Sequence, residues 1–118
     1  MGKRLPNLHA WQWRTYADNH KHPTNLLLHV LAVPLFVVAA LTLVYGLFSF
    51  SFRPLVLGLI GIAASLVLQA QGHKLEAVAP EPFASRKDAI SRLLVEQFIT
   101  FPRFVLSGKW WRNWRKRH

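Results

Sequence analysis

From Leu26 to Phe52 the chain carries no Asp, Glu, Lys or Arg, and after Arg53 none occurs again until Lys74. A helix needs about 20 predominantly apolar residues to cross the hydrocarbon core of a bilayer. The first run is long enough, and the second, PLVLGLIGIAASLVLQA, stands near the lower limit. Between them YGLFSFSFRP supplies Gly46, Ser49, Ser51 and Pro54, so the chain is expected to turn there. Gly58, Gly61, Ala63, Ala64 and Ser65 suit close helix–helix contact in lipid. A buried hairpin in a soluble bundle is the competing arrangement, but 118 residues are too few to cover two wholly apolar helices. The expected fold is all-α: an integral membrane helical hairpin with two spans, 25–48 and 54–74, in a single domain.

Charge agrees with that fold. The chain is 52% hydrophobic yet has a formal net charge of +10, a conflict that disappears if the charges sit outside a bilayer. The absence of cysteine excludes a disulfide framework and any thiolate metal site. The basic start MGKRLPNLHAWQW has no apolar core or cleavage site, so no signal peptide is expected. Of the 15 basic residues, Lys3, Arg4, Arg14 and Lys21 precede the first span, Arg53 alone lies in the link, and the rest follow the second span. The positive-inside bias then places both termini in the cytoplasm.

The flanks are expected to lie at the membrane surface. A short N-terminal helix over 8–22 should stop at Pro23, with Thr24 capping the next one. Pro34 can be tolerated inside the first span as a kink. APEPFAS reads as a proline-broken extended loop. Over 86–106 periodicity returns: Arg92, Glu96, Thr100 and Arg103 share one face, and Ile90, Leu94, Phe98, Phe101 and Val105 the other. This is the pattern of an interfacial amphipathic helix. In the tail, 107–118, Trp110, Trp111 and Trp114 interleave with Arg112, Arg115 and Lys116, which suits anionic headgroups rather than nucleic acid. The tail is expected to hold lipid and to stand apart from any metal.

One set of polar residues does not belong in lipid. His20 and His22 precede the first span, His29 lies on its first turns, His73 ends the second span, and Glu76 follows one turn later. In an up-down hairpin these positions meet at one depth. Neutral imidazole is the commonest metal ligand, and histidine plus carboxylate with open positions suits iron(II) and oxygen. Tyr16 and Asn25 are candidate partners that orient the ligands. An ionisable group inside a span, as His29 is, is a functional candidate by default. His9 and His118 are read as incidental.

The same residues carry a resemblance. Tyr16, His20, Asn25, His29 and Pro34, then QGHKLEAVAPEPF with Gln71, Gly72, His73, Glu76 and Pro80, then EQFITFPRFVLSGKW, resemble the motifs of the 2-hydroxy fatty acid dioxygenase family. That family, formerly a domain of unknown function, has a yeast member in the endoplasmic reticulum that acts in phytosphingosine breakdown, and short bacterial members. The resemblance runs from about Tyr16 to Trp110. Ala32 stands where the family has glycine, and Pro82-Phe83 where it has Pro-Ala; both differences bear on pocket shape.

The resemblance implies an Fe(2+)-dependent α-oxidation in which a 2-hydroxy fatty acid and O2 give an acid one carbon shorter. His20, His29 and His73 would be the metal ligands, Glu76 a fourth ligand or a base, and Asn25 and Tyr16 supporting residues. Lys74 and Arg86 would draw the carboxylate. The bacterial inner membrane would be its location. Two other functions fit the spacing: a bis-histidine haem anchor through His29 and His73, and a non-enzymatic lipid-binding or partner protein with incidental histidines.

Overall fold

The computed structural model of the chain describes residues 7–116. Lys3, Arg4, Arg117 and His118 lie outside the described residues. Among the described residues every regular element is helical. Helix α1 (Leu8–Tyr16) runs into a 3-10 turn (Ala17–Asn19). The long helices α2 (Pro23–Ser49) and α3 (Phe52–His73) follow, then α4 (Arg86–Val95), a π-helical turn (Glu96–Thr100), α5 (Phe101–Leu106) and α6 (Lys109–Arg115).

The ends of these helices follow from local chemistry. The N-terminal helix stops at Tyr16 rather than at residue 22, because the chain tightens to a 3-10 turn and His20 leaves helical backbone at φ −136°. His22 precedes a proline, which disfavours helical backbone, and it is extended at φ −69°, ψ 131°. It caps α2 in place of Thr24: its Nδ1 accepts the Thr24 N–H at 3.1 Å. Helix α2 continues through Pro34. At the link Phe50 takes the left-handed conformation, φ 52°, and the Ser51 N–H closes on Gly46 O at 3.0 Å. Phe50 is 95% exposed, so this unusual position for an aromatic residue costs it no packing.

Helices α2 and α3 form the hairpin. Close approach is set at Gly58, where a Cβ would lie 2.7 Å from the Leu43 nitrogen and 2.8 Å from the Ala39 oxygen. Buried Ser65 donates to Ala32 O at 2.5 Å across the contact. Both helices are long and apolar enough to cross a membrane. Their outer faces stay uncovered, with Leu31 67%, Leu57 63% and Phe48 82% exposed.

The stripe expected over 86–106 is present, and it faces opposite ways at once. Ile90, Leu94, Phe98 and Val105 point outward, while Arg92, Gln97 and Thr100 are buried against the other helices. Pro102 has no N–H, and its ring crowds the carbonyl four residues back. The helix widens into the π turn just before it. Such turns re-aim side chains at functional sites. Phe101 and Phe104 then join Tyr16, Leu26 and Val33 in the core, with Trp13, Trp110 and Trp114 against it.

A candidate metal centre

Three imidazoles meet where the hairpin opens. The rings of His20, His29 and His73 form a near-equilateral triangle, with centroids 4.7, 4.7 and 4.8 Å apart, each pair edge to face. His20 and His29 are buried at 2% and 0% exposure. The π turn brings in Glu96, whose Oε2 lies 3.5 Å from His20 Nε2 and 3.6 Å from His29 Nε2. One ligand atom from each of these four residues falls within 4.8 Å of the others.

Two of the imidazoles have their tautomer set by the backbone. His20 Nδ1 lies 2.7 Å from Tyr16 O, and His29 Nδ1 3.1 Å from Asn25 O, each four residues back on its own segment. A carbonyl only accepts, so both Nδ1 atoms carry a proton, and both Nε2 atoms turn toward Glu96. Metal-binding histidines are oriented this way. Both Nε2 atoms are buried without a hydrogen-bond partner, and so is His73 Nδ1.

Electrostatics points to a cation at the centre. Burial lowers the pKa of His20 more than nearby Glu96 raises it, so the ring is neutral. Burial pushes the Glu96 carboxyl up, but His20 and His29 together outweigh this and hold it well below the usual carboxylate range. Burial and the adjacent carboxylate raise Tyr16 far above the ordinary phenol value. It therefore stays protonated, donates to Glu96 Oε2 at 2.7 Å and stacks on His20 at 3.9 Å. At 3.5 Å the His20–Glu96 contact is too long for a hydrogen bond. Imidazole nitrogens thus face a carboxylate oxygen in a largely enclosed space, an arrangement that a proton or a metal ion between them would satisfy. A tetrahedron with bonds of ~2.1 Å has edges of about 3.4 Å, close to the two Glu96–histidine separations.

The sequence-derived candidates divide. His20, His29 and His73 come together, with Tyr16 beside them. Glu76 does not join them, because α3 ends at His73 and the chain turns away. Its carboxylate instead accepts the Lys21 N–H (2.9 Å), the His22 N–H (2.9 Å) and Asn25 Nδ2–H (2.7 Å). It thus holds the segment between His20 and α2, where negative charge also complements the helix dipole. Asn25 is fully buried and acts through Glu76, and His22 serves as the cap. Glu96 was not among the candidates. Its signal was a scarce carboxylate, one of five acidic residues, on a stripe that read as a solvent face. His29 and His73, the pair a haem anchor would use, are in direct ring contact with each other and with His20.

The cluster opens on a cavity of about 930 Å³. His20, His73, Glu96 and Tyr16 line it, Leu66 and Ala70 of α3 form one wall, and Trp11 and Phe83 stand opposite in the lining. Lys74 and Arg14 also line it, whereas Arg86 does not. Arg92 ties the roof together: it donates to Glu81 O (2.7 Å) and Pro82 O (3.2 Å) and lies over the rings of Trp11 and Phe83.

These features define an all-α hairpin, of a length and polarity suited to a membrane, that carries a possible three-histidine, one-carboxylate metal centre. The chain matches no protein-family model, no curated protein and no solved structure, so its function is read from its own residues.

Proposed function

We propose that this protein is a membrane-embedded, Fe(2+)-dependent dioxygenase that converts 2-hydroxy fatty acids to acids one carbon shorter, as its resemblance to the 2-hydroxy fatty acid dioxygenase family implies. One observation carries the reading: four donors, the buried imidazoles of His20 and His29 with the part-buried His73 and Glu96, converge beside a cavity walled by a lipid-facing helix. His20, His29, His73 and Glu96 would hold the metal, and an all-nitrogen-and-oxygen set with room beside it suits iron(II). Bound iron would supply the activation of O2.

The chain's own residues account for the rest. The cavity is of a size that encloses a substantial part of a single-chain amphiphile. Lys74 and Arg14 attract the carboxylate, and the alkyl chain leaves along Leu66 and Ala70 toward lipid. Tyr16 keeps Glu96 ionised and in place through its O–H. Trp11, Phe83 and the Arg92-held connection limit access of water. The reaction R–CH(OH)–COOH + O2 → R–COOH + CO2 + H2O balances without a nucleotide or 2-oxoglutarate. Both termini face the cytoplasm, by the basic asymmetry of the sequence, in a bacterial inner membrane. The exposed basic residues of α6, Arg112 and Arg115, contact anionic headgroups.

The test is metal analysis of protein purified anaerobically in detergent, with oxygen uptake on a 2-hydroxy fatty acid and on the same acid without the hydroxyl. Expected are one iron per chain, uptake with the hydroxylated acid alone, and a product one carbon shorter. Protein that binds no metal, or loaded protein that leaves the hydroxy acid intact, would overturn the reading.

A further inference from the structure

The C-terminal segment reads as a lipid anchor, yet its one uncharged polar side chain between the tryptophans points the other way. Asn113 is half-buried, and its Nδ2 donates to Ala17 O at 3.0 Å and to His20 O at 2.9 Å. A carboxamide nitrogen has two hydrogens, and here each meets a carbonyl of the turn that carries His20. We propose that Asn113 is a positioning residue for His20, so that helix α6 sets the geometry of the metal donors from the far end of the chain.

The peptide unit after His20 is gripped at both ends. Its carbonyl accepts from Asn113, and its N–H, that of Lys21, donates to Glu76 at 2.9 Å. Release of these two bonds would free the turn that carries His20 to shift, and Nε2 with it. The other hydrogen bonds of His20 are local: its Nδ1–H goes to Tyr16 O and its backbone N–H to Ala17 O, while its ring stacks on Tyr16 and lies by Phe104. His29 and His73, by contrast, sit on long helices that pack against each other. His20 is thus the donor most dependent on outside support, and Asn113 and Glu76 supply it from opposite sides.

Helix α6 is anchored firmly enough for this task. Trp110 Nε1 donates to Leu26 O at 3.2 Å, on the turn of α2 that precedes His29. The Trp110 and Trp114 rings stack at 5.7 Å with planes 11° apart. Arg103 and Lys109 lie over the Trp13 ring at 4.2 and 4.8 Å, tying the start of α6 to α1. On this proposal the tail acts on the metal donors rather than standing apart from them.

The inference rests on the reading that the cluster binds a metal, and one titration separates the two. Wild type, Asn113→Ala, Asn113→Ser, Asn113→Asp and Arg112→Ala are purified in detergent, stripped with chelator and titrated anaerobically with cobalt(II), followed by its visible absorption. Far-UV circular dichroism is recorded at the same temperature. Wild type and Arg112→Ala, whose side chain is exposed on the same helix, should bind one cobalt alike. Asn113→Ala should bind roughly 10–100-fold more weakly, the usual effect of losing a partner that orients a ligand, with a shifted spectrum. Asn113→Asp, which keeps the shape but presents oxygens to the carbonyls, should be no better. Asn113→Ser, with one donor left, should fall between and carries the test if the alanine variant does not fold. A folded Asn113→Ala or Asn113→Ser protein with wild-type affinity and spectrum would overturn the inference. Wild type that takes up no cobalt would instead overturn the metal reading beneath it.

Discussion

Replacing Gly72 with alanine should damage the site without touching any proposed ligand. A Cβ at Gly72 would collide with Asn25 Oδ1 and come within 3.0 Å of its Cγ. Asn25 is fully buried and cannot swing into solvent. Its Nδ2 donates to Glu76 Oε2 at 2.7 Å, so moving the side chain breaks that bond as well. Overpacking costs about 1–3 kcal/mol, and a hydrogen bond to a charged group contributes about 1.5–3 kcal/mol. With partial relaxation the sum is roughly 2–5 kcal/mol, against total stabilities of about 5–15 kcal/mol for single domains. The assay is reversible unfolding in mixed micelles, run as a double-mutant cycle. Asn25→Ala removes both Oδ1 and Cγ, leaving Asn25 Cα at 3.4 Å as the nearest neighbour. In that background Gly72→Ala should cost under about 1 kcal/mol, because neighbours in contact are not additive. Equal costs in the two backgrounds would refute the steric explanation.

Glu96→Gln keeps the shape and the Tyr16 contact but removes the charge, so metal affinity should fall by more than the roughly 10–100-fold typical of an outer partner; His9→Ala, exposed on α1, should leave cobalt titration unchanged. The absence of cysteine allows single-cysteine reporters: Ser49→Cys should react with an impermeant reagent from the side opposite to Lys116→Cys, and labelling of both from one side would rule out the spanning hairpin. Acid should weaken the metal-free fold in two stages. His20 is held below its unfolded value of 6.5, so the unfolded chain takes up the proton first and stability declines as pH falls below about 6.5. Glu96 is also held low, and its contribution, complete above about 4.5, is lost as pH falls from there through its folded value. Melting temperature against pH should thus drop in acid for wild type, and Glu96→Gln should flatten the lower stage.

The sequence made the hairpin legible because uncharged runs of that length have few other uses, and the bounds of α2 and α3 lie within two residues of those expected. Three of the four donors were also readable, since a histidine inside an apolar run needs a reason. Glu96 was hidden by its surroundings. It shares a helix face with Arg92, Thr100 and Arg103, and charged stripes usually face water; only the packed structure shows that Arg92, Glu96 and Thr100 turn inward while Arg103 stays exposed. Glu76 misled for a geometric reason. Three residues from His73, it would share a helical face with it had α3 continued, but the helix stops there. In the tail the aromatic and basic pattern masked Asn113, whose partners are backbone carbonyls that leave no trace in composition.

The four donors sit at positions 20, 29, 73 and 96, and the residue that steadies the first of them is at 113. No nascent chain short of Glu96 carries the full set, and none short of Asn113 carries it braced. The two long helices are complete well before then. An ion can fill the centre only once a chain carrying both long helices has been made through Glu96.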